Sequence, residues 1–151
     1  MNHMNPFDLK SILLARHAQH VVLIHFPIAL FLVSVAFDLA AQWKRNTTFA
    51  AVAYYNLTVA AFASVPAVAT GLMAWHWQLE AQKLKGTLLL HLVLGLTSTA
   101  LIWLVWWLHF LGRKPGRALP MYRLPLEALA AAVVALTAHL GGFLSGVNAG
   151  I

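Results

Sequence analysis

Residues 20–30 read HVVLIHFPIAL, and the apolar run that they open continues to Asp38. The run is long enough to cross a membrane, yet it contains two histidines, a proline and an acid. Hydrocarbon penalises ionisable groups and unpaired backbone groups, so polar residues in such a segment usually face the interior of a helix bundle. We therefore interpret the stretch as a membrane span, with His20, His25 and Asp38 as candidate functional residues.

The composition of the whole chain agrees with this interpretation. Of its 151 residues, 61% are hydrophobic and only 9% are charged, against about 25% charged residues in soluble domains. Cysteine is absent, which excludes disulfides, cysteine-ligated iron–sulfur clusters and covalently attached c-type haem. The net charge of +6 sits almost wholly in the predicted loops, so it indicates membrane topology and anionic lipid headgroups, and no nucleic acid as a partner.

Four segments have the length and apolar character of membrane spans, for which about 20 residues suffice. Short links between them predict antiparallel neighbours and an up-down arrangement. Asn5, Pro6 and Asp8 have the form of a helix start, which predicts a short N-terminal helix at the membrane interface. We predict an all-α, single-domain protein over residues 1–151, an integral membrane four-helix bundle with spans at about 21–41, 49–75, 87–111 and 124–146.

Three histidines are predicted to lie buried at one depth, near the end of the bundle where the first span begins. His25 and His91 each lie about four residues into a span that starts there, and His139 lies about six residues before the end of one that returns. Facing imidazoles inside an apolar bundle are typical of haem b, which takes axial ligands from histidines on facing helices. His20, at the adjoining surface, is a further ligand if a second haem binds.

Small and basic residues beside these histidines suit a haem. Glycine near a ligand leaves space for the flat macrocycle, and a basic side chain on the same side can meet its propionates. The small face predicted for the fourth span, Ala128, Ala132 and Ala135 with His139, is expected to pack inside the bundle. The predicted haem b site consists of His25, His91 and His139 as iron ligands, together with His20, Gly95, Gly142 and Arg16.

The same residues allow other interpretations. A metal ion held by several histidines, a quinone pocket and a proton relay are the alternative sites. His25 can instead bond a backbone carbonyl freed by the proline kink and serve packing alone. His109 lies near the opposite face of the membrane and is expected to be dispensable for haem binding. Asp38 is expected to pair with Lys44 or Arg45, close to it in sequence.

At these residues the chain resembles a family of small four-helix bacterial membrane proteins classed as a domain of unknown function. The family's hallmark is a histidine five residues before His-Phe-Pro-Ile-Ala-Leu and an acid further along the helix, matched here by His20, residues 25–30 and Asp38. Val21 stands where the family tends to have proline, and Ala74 where an acid often occurs. The later motifs are matched by Thr70-Gly71, His91 and His139-Leu140-Gly141-Gly142.

The resemblance implies a redox setting, because relatives are joined to Rieske or c-type cytochrome modules. We expect a b-type haem electron-transfer subunit of the bacterial inner membrane, without independent catalytic activity. Its expected partners are a c-type cytochrome, a Rieske protein or other membrane subunits, and a homo-oligomer is left open. Because positive loops stay in the cytoplasm, both termini are predicted outside it. The rival expectation is a non-redox assembly subunit whose histidines only stabilise packing.

Overall fold

The computed structural model describes residues 16–77, 83–113 and 119–145, so the predicted interfacial helix before residue 16 lies outside the described residues. Each of the four helices is long and apolar enough to cross a membrane, which confirms the prediction of an all-α membrane bundle. We call the end at which α1 and α3 begin the upper end, and the opposite one the lower end. The helices are α1 Arg16–Lys44, α2 Thr47–Trp77, α3 Gly86–Gly112 and α4 Arg123–Leu144.

The first two helices are longer than the spans predicted for them. They run for 29 and 31 residues, and each continues through its proline, Pro27 in α1 and Pro66 in α2. Hydropathy marks where the apolar residues end, whereas backbone hydrogen bonding continues into the polar interface. The tight link to α2 uses Asn46, whose side-chain oxygen accepts hydrogen bonds from the backbone N–H groups of Thr48 and Phe49 at 2.8 and 3.1 Å.

The bundle is built from two helical hairpins. α1 packs along α2, α3 packs along α4, and the hairpins meet through α2 with α3 and through α1 with α4. Two indole N–H groups of α3 tie the hairpins together, because Trp103 donates to Ser64 at 3.2 Å and Trp106 donates to Thr58 at 3.1 Å. The core between them consists of Phe31, Leu57, Ala60, Ala61, Ile102, Val105, Ala130 and Val134.

The hairpins share one pattern of burial, offset by about 70 residues. The buried positions 27, 31, 34 and 38 of α1 recur in α3 as 98, 102, 105 and 109, and positions 53, 57, 60 and 64 of α2 recur in α4 as 123, 127, 130 and 134. The residue types often differ, since Asp38 corresponds to His109 and Leu57 to Glu127. The two hairpins therefore carry the same order of buried positions, filled by different residues.

α4 turns a different face inward from the one predicted by its small residues. Ala128, Ala132 and Ala135 are exposed, and the prediction that they pack inside the bundle is wrong. The helix is turned by about one residue because charged side chains on its other face have partners inside, and leaving a charge in lipid costs far more than exposing alanine. The buried face consists of Arg123, Glu127, Ala130 and Val134.

Candidate functional site

Four ionisable side chains from three helices are buried together in the lower half of the bundle. The guanidinium Nε of Arg123 donates to Oδ2 of Asp38 at 3.1 Å, and the Gln42 amide donates to the same oxygen at 3.2 Å. The four are almost inaccessible, with exposed fractions of 3% for Asp38, 5% for His109, 7% for Arg123 and 1% for Glu127.

His109 and Glu127 form the second pair of this group. The imidazole Nε2 lies 2.8 Å from the carboxylate Oε1, with both side chains at most 5% exposed. The other oxygen of Glu127, Oε2, is buried and accepts no hydrogen bond from any described residue. One ligand atom each of Asp38, His109 and Glu127 lie within 4.8 Å of one another. We call these three residues the lower cluster.

A cavity of about 140 Å³ adjoins the lower cluster, with Asp38 and His109 in its wall. Arg113 lies at its side, and the guanidinium stacks 4.3 Å above the Tyr54 ring. The cavity is lined also by residues at the start of α2 and at the end of α3, so it lies at the lower end of the bundle.

The pairing of Asp38 with Lys44 or Arg45, expected from sequence proximity, is wrong. Both of those side chains are exposed, and the partner of Asp38 is Arg123, 85 residues away on α4. A side chain near the lipid headgroups can reach water, whereas Asp38 is buried and needs a partner that is also inside. The sequence signal for this site is that two of the four acidic residues, Asp38 and Glu127, fall within predicted spans.

At the upper end, the two hairpins use the same contact between a histidine and a glycine. His20 Nδ1 lies 3.0 Å from the carbonyl oxygen of Ala67, and its ring lies so close to Gly71 that a β-carbon there would be 2.8 Å from Cε1. His91 Nδ1 lies 3.1 Å from the Thr137 carbonyl oxygen, and a β-carbon at Gly141 would lie 3.1 Å from its Cε1. In both hairpins the glycine follows the carbonyl by four residues.

The other two predicted iron ligands are exposed. His25 lies off the buried face of α1, and its Nδ1 is 2.6 Å from the carbonyl oxygen of Val21, in its own helix. His139 lies on the exposed face of α4, with its ring edge-to-face against Phe143 at 5.0 Å. The expectation of three buried imidazoles is therefore wrong: His25 and His139 are exposed, and His91 lies half-buried between α3 and α4.

The remaining predicted site residues take part to different degrees. A β-carbon at Gly95 would make only an ordinary contact, 3.8 Å from Thr137 Cγ2. Gly142 is half-buried, and its neighbour Gly141 lies against the His91 ring. α1 begins at Arg16, whose side chain lies outside the described part of the structure.

The hydrogen bonds of the upper histidines define their tautomers. A carbonyl oxygen only accepts, so the Nδ1 atoms of His20, His25 and His91 carry the proton. In a neutral imidazole that carries its proton on Nδ1, the available lone pair is on Nε2. Histidines that ligate metals typically donate their other N–H to a carbonyl or carboxylate, which fixes the orientation of the ring. In His20, His25 and His91 the carbonyl contact therefore restrains the ring through Nδ1.

Comparison with known proteins places the chain in a family. No curated protein and no solved structure matches the chain. The family described as "Predicted membrane protein (DUF2231)" matches residues 16–149, which cover all four helices. The resemblance inferred from the motifs is thereby confirmed, and the chain belongs to this family of predicted membrane proteins.

Proposed function

We propose that the protein is a b-type haem electron-transfer subunit of the bacterial inner membrane, with haem at the upper end and both termini outside the cytoplasm. The observation that carries the proposal is the shared hydrogen bonding of His20, His25 and His91, each of which holds its Nδ1 proton on a backbone carbonyl. This arrangement leaves Nε2 as the basic atom and restrains the ring, as an axial ligand requires.

The exposure of the histidines separates them into two groups. His20 and His91 lie half-buried between helices, whereas His25 and His139 lie on the exposed surface of the chain. A haem held by His25 or His139 is therefore open to the surroundings of a single chain. The proposal accordingly includes a covering partner, either another subunit of a redox complex or a second copy of this chain.

In the proposed function the residues of the chain hold and orient the haem ligands, while the haem itself carries the electron. Haem b, when bound, supplies a one-electron iron couple. The backbone carbonyls of Ala67 and Thr137 orient His20 and His91. Gly71 and Gly141 let each ring lie directly against the neighbouring helix. A c-type cytochrome or Rieske protein at the outer face is the proposed exchange partner.

Absorbance spectroscopy tests this proposal. The full chain, purified in detergent from haem-replete cells, is expected to show a Soret band that shifts on reduction, with one or two haems per chain. His91→Ala is expected to lose absorbance, whereas His76→Ala serves as a matched control because His76 is exposed and packs edge-to-face on Trp77 at 5.0 Å. A colourless wild-type chain contradicts the proposal.

A second candidate is a non-redox assembly subunit, and the glycine contacts favour it. The rings of His20 and His91 lie against Gly71 and Gly141, so each histidine also fastens the two helices of its hairpin. In this role the histidines stabilise packing and bind no iron. The candidate predicts that His91→Ala weakens the bundle while the purified chain is colourless both before and after the substitution.

A further inference from the structure

We propose that the lower cluster, Asp38, His109 and Glu127, binds one divalent ion of the first transition row, with Zn²⁺ as the representative ion. The three residues come from α1, α3 and α4, and one ligand atom of each lies within 4.8 Å of the other two. Zinc bonds to imidazole nitrogen and carboxylate oxygen are about 2.0–2.2 Å, so two ligands of one ion are roughly 3–4 Å apart. Small side-chain rotations bring the three atoms to that spacing.

The donor set selects the class of ion. One imidazole nitrogen with two carboxylates is a mixed nitrogen and oxygen set, which suits Zn²⁺, Fe²⁺, Co²⁺ and Mn²⁺. Thiolate ligands, which favour Cu⁺, are absent from the whole chain. An all-oxygen set, which Ca²⁺ and Mg²⁺ prefer, is excluded at this position by His109.

The buried group has one more negative charge than permanent positive charges. Asp38 and Glu127 supply two negative charges, and Arg123 is their one permanently charged partner among the described residues buried here. An uncompensated charge inside an apolar bundle is costly, so the group needs one further positive charge. A proton on His109 supplies one, and a divalent ion supplies two. Arg113 does not fill this need, because it is exposed and stacks on Tyr54.

Glu127 indicates that a metal ion fits better than a proton. A proton shared by His109 and Glu127 satisfies Oε1, at 2.8 Å, but leaves the buried Oε2 without a hydrogen bond. A buried oxygen that accepts nothing costs about 1–3 kcal/mol. A metal ion that displaces the proton can be bound by both oxygens of the carboxylate, which satisfies the second one.

Besides its ligands, a metal site needs groups that orient them and a path of entry for the ion, and the residues around the lower cluster are placed to provide both. Asp38 is held in place by Arg123 and Gln42, at 3.1 and 3.2 Å from Oδ2. The cavity of about 140 Å³ reaches Asp38 and His109 from outside the bundle. It provides both a route for the ion and space for water to complete the coordination.

Metal counting on the full chain tests this inference and does not depend on haem. The tag-free protein is incubated with Zn²⁺, desalted and assayed for bound zinc. We expect one retained ion per chain in the wild type and loss of most of the retained zinc in Glu127→Gln and His109→Gln, both of which remove a ligand of the lower cluster. His76→Gln is the matched control, because it removes an exposed histidine at the other end, and is expected to bind as the wild type does.

Cobalt gives a measurement on the unmodified chain, in case a variant fails to fold. Co²⁺ bound by nitrogen and oxygen is expected to show visible d–d absorption, which Zn²⁺ abolishes by displacement. The inference is overturned if the wild type retains no zinc and shows no such absorption. It is equally overturned if folded Glu127→Gln retains zinc as the wild type does, or if His76→Gln loses it.

Discussion

The upper and lower ends of the bundle solve the problem of polar groups in a membrane in different ways. At the upper end, His20 and His91 each bond a backbone carbonyl of the next helix, so each is satisfied within its own hairpin. At the lower end, Asp38 is satisfied by Arg123 of the other hairpin. The upper polar contacts thus hold each hairpin together. At the lower end the Asp38–Arg123 pair links the two hairpins, while His109 and Glu127 pair within the second hairpin.

The two hairpins also diverge in a regular way. His20 and His91 occupy equivalent positions with the same residue type, and 18 residues further along each helix the equivalent positions hold Asp38 and His109. The upper positions hold a histidine in both hairpins, whereas the lower positions hold a carboxylate in one hairpin and an imidazole in the other. The upper end therefore has identical groups, and the lower end has a mixed set of donor atoms. This difference is why we assign separate ligands to the two ends.

The largest expected effect is at the lower end. Asp38→Ala leaves Arg123 buried without its carboxylate, and breaking a buried ion pair on one side costs about 3–5 kcal/mol. We expect a fall of that size in the free energy of unfolding, measured by denaturation in mixed micelles. Lys44→Ala, which removes an exposed charge near the end of the same helix, is expected to change it little.

A double substitution sharpens this prediction. Asp38→Leu with Arg123→Leu removes both charges at once, so neither is left unpaired, and replacing a buried pair by apolar residues is often neutral for stability. Most of the loss should therefore be recovered. A double variant as unstable as the single one would show that the loss does not come from the unpaired charge.

The orientation of α4 gives the next effect. Ala130 is 0% exposed, so Ala130→Leu overpacks the core and is expected to cost about 1–3 kcal/mol. Ala132→Leu adds the same atoms on the exposed face and is expected to change stability by less than about 0.5 kcal/mol. Denaturation of the two variants side by side measures the difference. If Ala132→Leu were the less stable variant, the small-residue face of α4 would be the packing face after all.

The smallest effect is expected at the upper end. Gly71→Ala places a β-carbon 2.8 Å from His20 Cε1, so the ring must move and its hydrogen bond to Ala67 is strained, at a cost of about 1 kcal/mol. Gly95→Ala is the control, since its β-carbon lies 3.8 Å from the nearest atom. If His20→Ala removes the penalty of Gly71→Ala, the cost arises from the ring contact. Equal stability of the two glycine variants would refute the tight contact.

The sequence predicts the helices well and their rotation poorly. The third and fourth spans were predicted within two residues of α3 and α4, because long apolar runs between polar links fix them. The sequence does not predict the inward face of α4. Small residues are only a statistical sign of helix packing, and the partners that draw Glu127 and Arg123 inward lie on helices distant in sequence. Long-range ion pairs have no local pattern, and the contact of His109 with Glu127 is therefore not predicted from the sequence.

Side-chain direction limits the sequence prediction at the upper end as well. His91 and Gly141 belong to two separate motifs that the sequence displays, and the contact between them appears only in the fold. The exposure of His25 depends on the rotation of α1, which follows the buried positions Phe31, Ser34 and Asp38. A count of residues from the start of a span gives depth and does not give direction around the helix.

The measurement that tests the account most directly is the haem and zinc content of three proteins, determined in parallel on the full chain: the wild type, His91→Ala and Glu127→Gln. The two ends are assigned to different ligands, so we predict that His91→Ala loses haem and keeps zinc, while Glu127→Gln keeps haem and loses zinc. Absence of both ligands from the wild type would contradict the account, and so would their joint loss in either folded variant.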